Sequence, residues 1–206
     1  MPERDHLPEA YDIHSPEDAK RLYGDWAKSY DAELEARNAY SGPREAAAVL
    51  ARHVTDKTAR IIDIGCGTGL VGRYLAGHGL TTVDGLDLVP EMLTEAGKKG
   101  VYGRLIEADL LQGAPLADDA YDAAISVGTF THNHVGPSGL DEVLRLVKPR
   151  GLVVVMINVE AFEADGYAAK FAALEQARMC RVIATEDGIL FGKTGLKGRI
   201  LVLEVR

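Results

Sequence analysis

Cysteine is nearly absent from the 206-residue chain, which has only Cys66 and Cys180. Two thiols are too few for a disulfide framework or a cysteine-rich zinc site, so both are expected to be free. Long apolar runs are lacking as well. The longest, Gly151 to Ile157, falls far short of the ~20 residues that a membrane-spanning helix needs. The opening Met1-Pro2-Glu3-Arg4-Asp5 has no apolar stretch of the kind found in a secretory leader. These absences predict a cytoplasmic protein with no membrane partner. No basic run exceeds two residues and the formal net charge is −8, so the long-range field repels a phosphate backbone. On that ground nucleic acid is excluded as a substrate.

The balance of hydrophobic and charged residues is that of an ordinary globular chain, which folds unaided. The length suits one domain over residues 1–206, with a helical lid over 1–55 and an α/β core over 56–206. No linker, repeat or low-complexity segment divides it.

Ser15-Pro16-Glu17-Asp18 opens a helix: a capping hydroxyl, proline at the first helical position and acids in the first turn. That helix is expected to run to about Asn38. Ser41-Gly42-Pro43 breaks the chain, and an alanine-rich helix follows from Arg44 to His53. From Arg60 on, short apolar runs alternate with helical patterns, which predicts parallel strands joined by crossover helices. Strands are expected near 60–64, 81–87, 103–107, 121–127 and 151–158, and helices near 69–77, 90–98 and 137–147. After a helix around Tyr167 to Arg178, two β-rich stretches, Cys180 to Phe191 and Lys197 to Val205, are joined by Gly192 to Gly195. That link is short enough for an antiparallel hairpin.

The segment Arg60-Ile61-Ile62-Asp63-Ile64-Gly65-Cys66-Gly67-Thr68-Gly69 is an apolar strand running into a glycine turn just before a helix. Glycine lets the backbone bend sharply and lets a ligand come close, so a nucleotide-sized ligand is expected here. Gly67-Thr68-Gly69-Leu70-Val71-Gly72 also matches the dinucleotide fingerprint, with Asp87 at the distance of a ribose-binding acid. A nicotinamide-dependent oxidoreductase is therefore one reading. S-adenosylmethionine is the better one: Asp63 would repel a pyrophosphate but suits an amino-acid moiety, and the turn starts at Gly65, before the dinucleotide register.

Asp63 through Gly69 resembles the first motif of the class I S-adenosylmethionine-dependent methyltransferases, acid-x-G-x-G-x-G. Gly85-Leu86-Asp87-Leu88-Val89-Pro90-Glu91-Met92 is similar to the family's second-strand motif, Glu107-Ala108-Asp109-Leu110 to its adenine segment, and Tyr121 to Ser126 to its fourth strand. The resemblance implies a doubly wound, Rossmann-like, mostly parallel seven-stranded sheet with a C-terminal antiparallel hairpin and an N-terminal helical lid. It implies S-adenosylmethionine as cofactor and S-adenosylhomocysteine as product. Asp87 would hold the ribose hydroxyls and Asp109 the adenine amino group, with Gly65, Cys66, Gly67, Gly69, Leu88, Met92, Leu110 and Ser126 as further cofactor neighbours. Tyr23 to Asp31 and Ser126 to His132 resemble the methyltransferase-like group named after the Williams–Beuren chromosomal region. The likeness covers roughly residues 15–158.

Tyr23, Trp26 and Tyr30 recur at helical spacing and share one face. They either pack a core or form a lid whose aromatic faces attract a cationic sulfonium. His132 and His134 follow the fourth strand; either could act as a general base, and without a third ligand nearby no metal site is expected. The reaction implied is direct in-line displacement, to which the protein contributes mainly positioning. A compact lid points to a small-molecule acceptor. A non-catalytic domain that retains the cofactor fold is the remaining alternative.

Overall fold

The computed structural model describes residues 6–10, 12–132 and 134–206; residues 1–5 and Tyr11, which fall in the expected lid, lie outside them. Among the described residues seven strands form one sheet: β1 Ile61–Ile64, β2 Val83–Asp87, β3 Leu105–Glu107, β4 Tyr121–Val127, β5 Val147–Asn158, β6 Cys180–Phe191 and β7 Leu196–Val205. Their spatial order is β3-β2-β1-β4-β5-β7-β6. β1 to β5 pair in parallel, whereas β7 runs antiparallel to both β5 and β6. The C-terminal hairpin thus inserts its second strand beside β5, leaving β6 at the edge.

Successive side chains in a strand point to opposite faces, and here the two faces feed two cores. Ile61, Ile125, Val154, Met156 and Val202 join the helices α4 Gly42–His53 and α5 Leu70–Gly77 in one core. Ile62, Ala124, Val153, Val155 and Leu203 join α7 Gly139–Leu146 and α9 Tyr167–Gln176 in the other. Both layers are apolar, which is why these strands read as continuous runs rather than alternating ones.

The N-terminal region departs most from expectation. A single turn, α1 Leu7–Ala10, precedes α2 Pro16–Trp26, whose Ser15 cap accepts from the Asp18 N–H at 3.0 Å. The helix expected to reach Asn38 ends at Trp26. There the Ser29 N–H donates to the Trp26 carbonyl at 2.9 Å and its hydroxyl to Glu33 at 2.6 Å, competing with the helical ladder. The chain resumes as α3 Tyr30–Ala32 and a wider π-turn, Glu33–Arg37. Propensity gave no warning of this bend, because it is a side-chain hydrogen bond that decides it. Two more differences are small: β5 starts earlier, at Val147, and a short helix α8 Val159–Ala164 precedes α9. No helix among the described residues is long and apolar enough to cross a membrane.

Candidate functional site

The strand order reverses between β1 and β4, and the crevice at their carboxyl ends is where open sheets of this kind take ligands. Gly65, Gly67 and Gly69 all have left-handed φ, at +67°, +53° and +93°, a region that favours glycine. A Cβ on Gly65 would collide with Thr129, whereas Gly67 faces open space. The loop is pinned to β2: the Gly65 and Cys66 N–H groups donate to the Leu86 carbonyl, and the Gly67 N–H donates to Asp87 Oδ2 at 2.7 Å. Asp87 Oδ1 accepts from the Val89 N–H at 2.9 Å. Burial pushes the Asp87 carboxyl up, and these backbone donors pull against it.

A cavity of about 250 Å³ opens against this loop. Of the residues singled out in the sequence, it gathers Gly65, Gly67, Asp87, Leu88, Met92, Asp109 and Leu110, with Tyr23, Tyr30 and His134. Its chemistry suits an adenosyl amino acid. Asp87 keeps spare lone pairs for hydroxyls, Asp109 uses only Oδ1 internally, on the Leu111 N–H, and Leu88, Met92 and Leu110 supply apolar walls. No Lys or Arg borders it among the described residues, so a dinucleotide pyrophosphate would face Asp87 without a counter-charge.

Six of the singled-out residues do not border that cavity. Asp63 is fully buried behind the loop, where Tyr102 donates to its Oδ2 at 2.6 Å and its Oδ1 has no partner among the described residues. Burial raises its pKa to about 7, against the pull of that hydrogen bond. The Tyr102 ring fills the space left by Gly69 and Gly72, where any Cβ would overlap it, and its oxygen accepts from the Gly72 N–H at 3.1 Å. The third glycine of the dinucleotide fingerprint thus makes room for a tyrosine. Burial also raises the Cys66 thiol well above its usual range. The Ser126 hydroxyl donates to the Ile64 carbonyl at 2.7 Å. His132 pairs with Asp165 at 2.7 Å, away from the cavity, and Trp26 lies deeper in the lid, in contact with Tyr23 and Tyr30.

His134 has the firmer geometry of the two histidines. Its Nδ1 lies 2.9 Å from the His132 carbonyl and must carry the hydrogen, so Nε2 accepts from the Tyr23 hydroxyl at 2.7 Å. Burial lowers its pKa and keeps the ring neutral.

Sequence reading missed what holds the lid down. Thr68 donates its hydroxyl to Asp31, and Lys99 donates to both Asp31 Oδ2 and the Thr68 carbonyl at 2.6 Å. Arg73 meets Glu35 beside them. Asp31 closes the Tyr23-to-Asp31 motif, which was the one available signal; Lys99 looked like an ordinary basic helix end. Because this latch joins lid, glycine loop and α6 Pro90–Lys99, Asp31→Asn is expected to speed S-adenosylhomocysteine dissociation roughly fivefold, in proportion to a partly buried ion pair. Stopped-flow fluorescence reads this directly, and exchanging the charges with Asp31→Lys and Lys99→Asp should restore part of the loss. An unchanged rate in Asp31→Asn would remove the latch from the account.

The family model described as "Methyltransferase domain" matches residues 62–155. Human methyltransferase-like protein 27 is 33% identical over 172 residues, which is 80% of this chain and 69% of that protein. The chain belongs to the class I S-adenosylmethionine-dependent methyltransferases. S-adenosylmethionine is accordingly its cofactor, and the glycine-loop cavity fits that group. A chain of the Haloferax volcanii complex containing the Trm112 methyltransferase activator shares the fold, with a TM-score of 0.65, 19% identity and coverage of 89% of this methyltransferase and 96% of that chain.

One comparison overturns an expectation. The bovine 18S rRNA (guanine-N(7))-methyltransferase is 44% identical over 72 residues, 35% of this chain and 25% of that protein's length. The exclusion of nucleic acid therefore does not stand. Net charge averages over a whole surface, so a total of −8 does not describe the face that a substrate meets.

Proposed function

We propose that this methyltransferase acts on a small-molecule acceptor by in-line displacement, under a lid formed by residues 1–55 over the core 56–206. The observation that carries this is a second, inner cavity of about 50 Å³, which shares Tyr23, Tyr30, Gly128 and His134 with the cofactor cavity. Bound S-adenosylmethionine supplies the electrophilic methyl group. Asp87 would hold the ribose, Asp109, Leu88 and Leu110 the adenine, and the glycine loop the amino-acid end. Tyr30, which borders both cavities, would turn its ring toward the sulfonium. Tyr23 would meet a protic acceptor at the shared wall and His134 would take the proton, as a neutral imidazole can. The lid excludes water and holds the acceptor in attack geometry.

A second reading, an RNA acceptor, is favoured by the 18S rRNA relative; it requires the lid to move aside. Incubation of cell extract with methyl-labelled S-adenosylmethionine, followed by separation into small-molecule and RNA fractions, tests the two. Label is expected in the small-molecule fraction, and label in RNA alone would replace this reading by the second.

A further inference from the structure

The inner cavity is bordered by three side chains whose hydrogen-bond donors have no partner among the described residues. The Trp26 Nε1–H is buried and unpaired. Asn158, 4% exposed, spends its Oδ1 on the Glu160 N–H at 2.9 Å, which leaves its Nδ2–H₂ group unused. The partly buried Tyr30 also lines the space, with no hydrogen bond from its hydroxyl to the described residues, and burial beside Tyr40 and Tyr23 keeps that hydroxyl protonated. Among the described residues no carboxylate and no cationic side chain borders this space, and Leu34, Met156, Leu190 and Phe191 line it with apolar surface. Native interiors rarely leave a buried donor unpaired, and the Trp26 N–H, with the Asn158 amide and the Tyr30 hydroxyl on the wall of the same space, calls for an acceptor atom from outside the chain.

We infer that the inner cavity receives an sp² oxygen, the carbonyl or carboxylate of a compact methyl acceptor, held by Trp26, Tyr30 and Asn158. This rests on the proposed function and narrows it: an ammonium head would find no carboxylate among the described residues of the wall to offset its charge. At about 50 Å³ the space has room for a head group of a few atoms and not for a ring. The oxygen would anchor the acceptor at depth while its protic nucleophile stays at the shared wall beside Tyr23.

Trp26 is the single tryptophan of the chain, so its indole N–H gives one isolated signal in a ¹H–¹⁵N spectrum. With the protein saturated by S-adenosylhomocysteine, titration with acetamide or acetate is expected to move that signal downfield and to saturate, while ethylammonium leaves it in place. The stronger of the two oxygen probes tells a neutral carbonyl from a carboxylate. Asn158→Asp keeps the capping oxygen but removes the donor, and Tyr30→Phe removes one hydroxyl; each is expected to weaken the better probe about fivefold or more. An indole signal unmoved by both oxygen probes, or moved equally by ethylammonium, would overturn the inference and leave water as the occupant. Failure of S-adenosylhomocysteine itself to bind would instead count against the proposed function.

Discussion

Replacing Asp87 by alanine is expected to lower S-adenosylhomocysteine affinity about 100-fold, the equivalent of two charge-assisted hydrogen bonds to ribose hydroxyls. The loss has a second source. Asp87 is also the acceptor for the Gly67 N–H, so its removal frees the loop as well as the ligand. Asp87→Asn should fall between the two, since an amide oxygen can still accept from one backbone donor while its NH₂ group opposes the other. Isothermal titration of both variants, with thermal melting as a check on folding, decides the matter. Affinity within about twofold of the parent in a folded Asp87→Ala protein would remove Asp87 from the cofactor site.

Asp63 should dominate the difference in pH dependence between the parent and an Asp63→Asn variant. Its carboxyl is raised from 3.8 to about 7 by burial. The folded chain therefore binds a proton there more tightly than the unfolded chain does, and the stability it contributes is present in acid and lost as pH rises toward 7. The full difference is on the order of 4 kcal/mol. Asp63→Asn retains an oxygen for Tyr102 and removes the ionisation, so its denaturation midpoint should fall less between pH 4 and 8 than the parent's. Parallel curves for the two proteins would show that Asp63 is not the titrating group.

These two acids were singled out by successive motifs but occupy different environments. Asp87 stands at the cavity with its oxygens shared between backbone and open space; Asp63, two residues before the first glycine, points behind the loop onto Tyr102. The spacing that places Asp63 at the end of β1 and Asp87 at the end of β2 says nothing of which way each side chain turns from its strand. Tyr102 was not singled out at all, because it lies in a loop between α6 and β3 and gains its role only when Gly69 and Gly72 fold over it. The histidines separate in the same way: adjacent in sequence reading, they diverge once the loop after β4 turns His132 toward Asp165 and His134 toward Tyr23.

Local order alone settled the alternation of strand and helix, the glycine turn after β1 and the antiparallel end of the sheet, because apolar period, glycine and proline act within a few residues of themselves. The bend of the lid at Ser29, the latch of Asp31 on Thr68 and Lys99, and the inner cavity with its unpaired donors were decided in three dimensions. Each depends on groups far apart along the chain, such as Trp26 and Asn158, whose proximity is a product of how the sheet is wound.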